Sequence, residues 1–146
     1  MKFKIIIDKT KEEEIIATVH APSALTEKIQ QLVQEFTGTD RVAAFLEDDI
    51  KMLPFAEIAC ITVQDGKTWA VDQTGKRYRL KQRLYELEEV LPASFIRINK
   101  SALANEQLIE RFAATFSGAV DAVFRGGYRE YVSRRCVAQI MRRYRL

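Results

Sequence analysis

The chain has 146 residues, 47% of them hydrophobic and 29% charged, with a net charge of +3, which is the balance of a folded globular protein of about one domain. No apolar run reaches the roughly 18–20 residues of a membrane span, and the apolar stretch after Met1 is too short for a signal peptide, so a cytoplasmic protein is expected. The lone histidine, His20, and the two cysteines, Cys60 and Cys136, lack ligand spacing, which argues against a metal site and a disulfide framework.

In chain order, Phe3–Ile7 and residues 14–20 read as two short strands around a charged turn. After Ser23, Leu25, Ile29, Leu32, Val33 and Phe36 recur at helical spacing until Thr37-Gly38 breaks the pattern. Residues 1–37 therefore look like a strand-strand-helix unit, too small to build a core alone. Strands are expected over 41–46, around 58–63, over 68–71 after the Asp65-Gly66 turn, and over 76–80. Leu80, Leu84, Leu87 and Leu91 mark one face of a helix that Pro92 stops. A strand at 95–98 precedes a short helical or irregular connection over 101–109. Val120–Arg125 and Tyr128–Val132 flank Gly126-Gly127 as a hairpin, and Ser133 caps a last helix from Arg134 to about Tyr144. The class is β-rich α+β, with small antiparallel sheets and short helices. Cys60, Cys136 and Trp69 read as core residues.

Charge is unevenly spread. Residues 1–50 hold six basic and ten acidic side chains, and residues 51–146 hold seventeen and ten. From Arg125 to Arg145 there are seven arginines against Glu130 alone. Such a basic part beside an acidic part is the footprint of a polyanion binder, although an ordinary solvated basic helix would look similar. Arg134 and Arg135 stand out because they occupy the first turn of a helix, where the macrodipole disfavours cations. Together with the first-turn amides and the Ser133 hydroxyl they form a candidate phosphate site.

Enzyme chemistry finds no support in the motifs. There is no Gly-x-Ser-x-Gly elbow, Walker loop, Gly-x-Gly-x-x-Gly turn or His-Glu-x-x-His helix, and adjacent acids such as Glu88-Glu89 diverge in regular structure. A protein that is not an enzyme and carries no cofactor is expected.

The segment Phe95-Ile-Arg-Ile-Asn-Lys-Ser-Ala-Leu-Ala-Asn105, the upstream Leu80–Leu91 helix and the Gly-Gly hairpin followed by Val132-Ser133-Arg134 resemble the LytTR domain, a bacterial DNA-binding module. The resemblance runs from about Leu53 to the C-terminus. It implies small antiparallel sheets whose loops enter successive major grooves of double-stranded DNA. Residue by residue, it implies DNA contacts at Lys100 and Arg135, with Lys67 in the earliest loop as a third candidate and Asn99, Ser101 and Arg134 as neighbours sharing the work. Ser101 reads equally as a phosphate contact or a turn cap. Asn105 and Arg97 read as structural, with Arg97 facing Glu88 or Glu89. Ala102 and Ala104 are smaller than the family's usual branched residues, which suggests a looser segment.

Two units are expected: residues 1–40, an acidic extension serving as a dimerisation element, and residues 41–146, the LytTR-like domain. The first unit is too short for a phosphorylated receiver. The reading is a transcriptional regulator of promoter repeats, acting as a homodimer, with a membrane-protein regulator as a further candidate partner. A protein-interaction module whose basic face binds an acidic partner is the alternative.

Overall fold

The computed structural model describes residues 1–144. Apolar side chains at alternate positions pair short strands antiparallel and leave each strand one apolar face to bury. The first long element is α1 (Ala24–Thr37), whose start is held by the Ser23 N–H donating to Thr26 Oγ1 at 2.9 Å. It ends where Gly38 turns left-handed (φ 73°) and Thr39 N–H reaches Gln34 O at 2.9 Å.

A seven-stranded sheet follows: β1 (Arg41–Leu46), β2 (Asp49–Pro54), β3 (Ile58–Gln64), β4 (Lys67–Asp72), β5 (Arg77–Leu80), β6 (Phe95–Asn99) and β7 (Ala102–Asn105). Its strand order is β2-β1-β5-β4-β3-β7-β6, with every pairing antiparallel. The helix α2 (Leu84–Val90) lies between β5 and β6. A second sheet of three strands, β8 (Ile109–Ala114), β9 (Val120–Phe124) and β10 (Arg129–Val132), leads directly into α3 (Arg134–Arg143). The class is strand-rich α+β, as the sequence suggests.

The seven-stranded sheet carries a core on each face. One cluster joins Val42, Leu53, Ile61, Tyr78 and Leu80 to Leu84 and Leu87 of α2. The other joins Cys60, Ile98, Ala102 and Ala104 to Phe124 and Val132 of the second sheet and to Cys136 and Ile140 of α3. Strand β3 serves both, and an irregularity between Ile58 and Cys60 sets its phase. One extra residue there turns both Ala59 and Cys60 to the second cluster, while Ile58 and Ile61 face the first. Gly126, at the tip of the β9–β10 hairpin, lies so near the β4–β5 turn that a Cβ would stand 2.3 Å from Gln73 O. Only glycine allows that approach.

Several sequence expectations are corrected here. Phe3–Ile7 and residues 14–20 form no strand and pair with nothing among the described residues. None of the sheet edges pairs with them, and an isolated two-stranded ribbon is marginal in water. The helix expected over 80–91 starts at Leu84, because Leu80 is the last residue of β5. The connection over 101–109 is instead strand β7 followed by a 3₁₀ turn, Glu106–Leu108, and then the start of β8, which the sequence does not signal. Ala102 and Ala104 favour helix as isolated residues, but here they are fully buried opposite Thr62 and Cys60. Their small size tightens the segment instead of loosening it, since it lets β3 and the second core approach closely. Arg145 lies outside the described residues. Among those residues no helix is long and apolar enough to cross a membrane.

The β4–β5 turn rests on one carboxylate. Asp72 Oδ1 accepts from Thr74 N–H (2.9 Å), Thr74 Oγ1 (2.6 Å) and Lys76 N–H (3.0 Å). Burial pushes its pKa up, but these bonds and one from Tyr78 outweigh it and hold the carboxyl below its usual value. A depressed pKa stabilises the fold above the unfolded value of about 4, and that stabilisation is lost as pH falls through the folded value. Asp72→Asn should therefore lower stability by about 1 kcal/mol at pH 7 in urea titrations, with the gap to the parent closing as pH falls below about 4.

Candidate nucleic-acid interface

Three loop ends that carry the sequence-predicted cations are brought to one end of the seven-stranded sheet. The first is the β3–β4 hairpin, whose two-residue loop has Asp65 at φ 53° and Gly66 at φ 72°. Left-handed geometry at both positions matches the strand twist, and it presents Lys67 exposed at the head of β4. The second is the β6–β7 turn, with Lys100 exposed and Ser101 half-buried. The third is the N-terminus of α3, where Arg134 and Arg135 are exposed.

Hydrogen bonds join these ends in a row. Val63 N–H donates to Ser101 O at 2.9 Å, fastening the β6–β7 turn to β3 beside the Lys67 hairpin. Ser133 N–H donates to Ile98 O at 2.8 Å, fastening the start of α3 to β6. Between them, Asn99 Nδ2 donates to Tyr131 O at 2.7 Å and Asn99 Oδ1 accepts from Ser101 N–H at 2.7 Å. A register irregularity between Arg97 and Asn99 turns both Ile98 and Asn99 toward β10.

Asn99 thus differs from its neighbours. It is 9% exposed, with its amide engaged at both ends inside the protein, whereas Lys100 beside it is free to reach outward. The cap of the turn is Asn99 and not Ser101, whose N–H is the group being capped. Arg97 pairs with Glu88 (Nη2 to Oε2, 2.6 Å) and donates to Lys100 O at 2.9 Å, so the loop is braced from both sides. Asn105, almost wholly buried, donates to Ile58 O at 3.0 Å and accepts from Gln107 N–H at 3.1 Å. Both residues have the structural roles that the sequence suggests.

At α3 the Ser133 hydroxyl accepts from Cys136 N–H at 3.3 Å, and no acid sits in the first turn. The arginines of this region divide into two groups. Arg129 pairs with Asp121 (3.3 Å), and Arg143 pairs with Glu106 (2.8 Å), which also accepts from Tyr144 Oη. Among the described residues, Arg134 and Arg135 have no ion-pair partner, nor do Arg125 and Arg142, but only Arg134 and Arg135 stand in the first turn of a helix. Glu130 does not neutralise them. It accepts from Thr62 Oγ1 (3.2 Å) and Tyr128 Oη (3.0 Å) and docks the hairpin on β3. Burial, with the Glu130 charge nearby, raises the pKa of the Cys60 thiol and the Tyr128 phenol, so both stay neutral.

Trp69 departs from its expected core position. It is half-buried and belongs to neither core cluster, with the Arg77 and Arg79 guanidinium carbons 4.9 and 5.8 Å from its ring centroid. The signal for this stack is the run Arg77-Tyr-Arg-Leu-Lys81, with a cation at every second residue. Sequence reasoning passed over it.

A family model, the LytTr DNA-binding domain, matches residues 48–145. The chain belongs to the LytTr DNA-binding domain family. Curated relatives described as uncharacterized HTH-type transcriptional regulators of Staphylococcus aureus, from strains MSSA476 and MW2, are each 27% identical over 98% of this chain and 97% of theirs. A solved LytTr DNA-binding domain of a methyl-accepting/DNA response regulator from Bacillus cereus is similar in fold. It has a TM-score of 0.64 and 23% identity, and the match covers 70% of this chain and 94% of that one.

The internal bonds of Asn99 and the outward position of its neighbours predict different costs. Asn99→Ala should lower unfolding free energy by about 1–3 kcal/mol in urea, because it orphans Tyr131 O and Ser101 N–H. Lys100→Ala should stay within about 0.5 kcal/mol of the parent, and Arg135→Ala should match or slightly exceed the parent by relieving a cation at a helix N-terminus.

Proposed function

We propose that this LytTr-family chain is a sequence-specific, double-stranded DNA-binding transcriptional regulator that acts as a homodimer on repeated promoter sites in the bacterial cytoplasm. The observation that carries the reading is the row of three basic loop ends tied to one another through Val63, Asn99 and Ser133. A rigid row of cations at one end of a sheet suits a duplex whose grooves return at regular spacing. The helices α1, α2 and α3 are separated in sequence by strands, which leaves no consecutive helix-turn-helix pair among the described residues and supports the reading of loops entering successive major grooves.

Each residue then has a distinct task. Lys100 and Arg135 reach base edges, where a cation donates to guanine O6 and N7. Lys67 extends the contact to the next groove. Arg134 and the Ser101 hydroxyl hold phosphates and set the register. Asn99 acts from inside, keeping the Lys100 loop and the α3 N-terminus at a fixed separation, so its part in binding is positioning and not contact.

Fluorescence anisotropy against a duplex from the upstream region of the chain's own gene and a scrambled duplex, across salt, tests this. A preference of about 10³ or more is expected for the cognate sequence. Lys100→Ala and Arg135→Ala should each cost about 1–3 kcal/mol on the cognate duplex and less on the scrambled one. Arg134→Ala should weaken both alike and flatten the salt dependence by about one phosphate's worth. If site selection from random duplexes also yields no preferred sequence, and Lys100→Arg is harmless, the basic end binds by charge alone and the reading fails.

A further inference from the structure

We propose that residues 1–37 are the surface through which two copies of this chain join, with the N-terminal stretches of both copies pairing into one sheet and the two α1 helices covering it. The inference deepens the homodimer reading above, but it is argued from the protein's own surface and does not depend on DNA.

The first observation is where apolar surface remains uncovered. Of the twenty large hydrophobic side chains that stand exposed, eleven lie between Met1 and Phe36, a quarter of the chain. Phe3 is 89% exposed and Phe36 85%. Neither core cluster includes any residue before Val42, and α1 buries none of its fourteen residues despite an apolar stripe through Leu25, Ile29, Leu32 and Phe36. Solvent-exposed patches of this extent mark interaction surfaces. Eleven such side chains correspond to roughly 700–1,000 Å² per copy, about what a standard interface takes from each partner.

The second observation concerns the backbone. A turn is already built at Asp8, with Thr10 N–H donating to Asp8 Oδ1 at 3.0 Å, Thr10 Oγ1 to the same oxygen at 2.6 Å, and Lys11 N–H to Asp8 O at 3.3 Å. The flanks are rich in β-branched residues, yet they form no ladder with each other or with the rest of the chain. Their patterns are those of half-buried strands. Phe3, Ile5 and Ile7 alternate with Lys2, Lys4 and Ile6, and Ile15, Ala17 and Val19 alternate with Glu14, Ile16, Thr18 and His20, so each stretch has one wholly apolar face and one mostly polar face. Two copies supply four strands and two covering helices, which passes the threshold that one ribbon does not reach.

Charge selects a second copy as the occupant. Residues 1–37 carry five basic and six acidic side chains, so the acidity of the N-terminal third lies mostly in Asp40 and the Glu47–Asp49 turn. Both signs are present: Lys2 and Lys4 flank the first stretch, Asp8, Lys9 and Lys11 mix in the turn, and Glu12, Glu13 and Glu14 open the second. Such a surface complements itself and fits neither a basic nor an acidic partner. An isologous contact demands that self-complementarity. Residues 41–146, in contrast, are net basic and repel their like.

Light scattering on the full chain at tens of micromolar should give twice the monomer mass. The Ile5→Lys/Ile15→Lys double variant should give the monomer mass and lose the concentration dependence of its Tm while keeping a cooperative melt, because neither residue touches a core cluster. To show that the arms pair across copies, chains with Ile5→Cys are mixed with chains with Ile15→Cys under mild oxidation. A disulfide-linked pair of one of each is expected, since Cys60 and Cys136 are buried. A wild type that stays monomeric, a charged variant that keeps the dimer mass, or a mixture that yields no disulfide-linked pair of one of each would each overturn the proposal. Failure of the DNA reading is separable, because it would abolish duplex binding while leaving the mass at that of a dimer. A failed arm contact would leave single-repeat affinity intact.

Discussion

The side chain of Asn99 joins parts of the protein that the chain brings together only after long separations. Its amide holds Tyr131 O of β10 with one end and Ser101 N–H with the other, across 32 residues of sequence. Without it the second sheet would still meet the first through apolar packing, but packing alone is non-directional and leaves the loops at its edge free to slide. Two charge-neutral hydrogen bonds in a site shielded from water fix both distance and orientation. The candidate DNA-facing end therefore inherits its geometry from a residue that need not touch DNA.

The same economy recurs in the core. Strand β3 is buried on both faces because two layers pack on it, and it must present suitable side chains to each. The irregularity at Ile58–Cys60 makes the shift that strict alternation would forbid, and fully buried Ala102 and Ala104 let the layers close. The register irregularity in β6 does the corresponding work for Ile98 and Asn99. Two local departures from regular pairing thus place the two sheets and aim the polar link between them.

These departures explain what was legible from sequence and what was not. The Asp65-Gly66 and Gly126-Gly127 hairpins, the Ser133 cap and the leucine face of α2 each depend on residues a few positions apart, and all were readable. Strand β7 was not, because Ala-Leu-Ala-Asn has no strand preference of its own and is extended only because β3 and β6 pair with it on either side. Edge strand β8, mostly exposed, carries little apolar alternation to betray it. The two expected N-terminal strands err in the opposite sense: the alternation is present, but neither stretch pairs with the other or with a sheet edge. The cations Lys67, Lys100, Arg134 and Arg135 could be picked out by type and position, whereas the internal duty of Asn99 depends on Tyr131, which nothing local predicts.

Electrostatics separates the arginines that stabilise the fold from those that do not. Arg97, Arg129 and Arg143 each have a carboxylate within hydrogen-bond distance, and Arg143 also lies at the end of α3 where a cation is favoured. Arg134 and Arg135 sit at the opposite end, beside each other, in the first turn of the helix, with no acid in that turn. Each of those circumstances raises the energy of the unliganded state by a few tenths of a kcal/mol to about 1 kcal/mol, and an anion placed there would relieve them together. A surface arranged for stability alone would carry an acid in the first turn of this helix. The protein instead keeps two unpaired arginines at the end of the sheet where Asn99 holds the loops still, so the electrostatic strain and the geometric rigidity coincide at one place, and a polyanion is the ligand that such a coincidence fits.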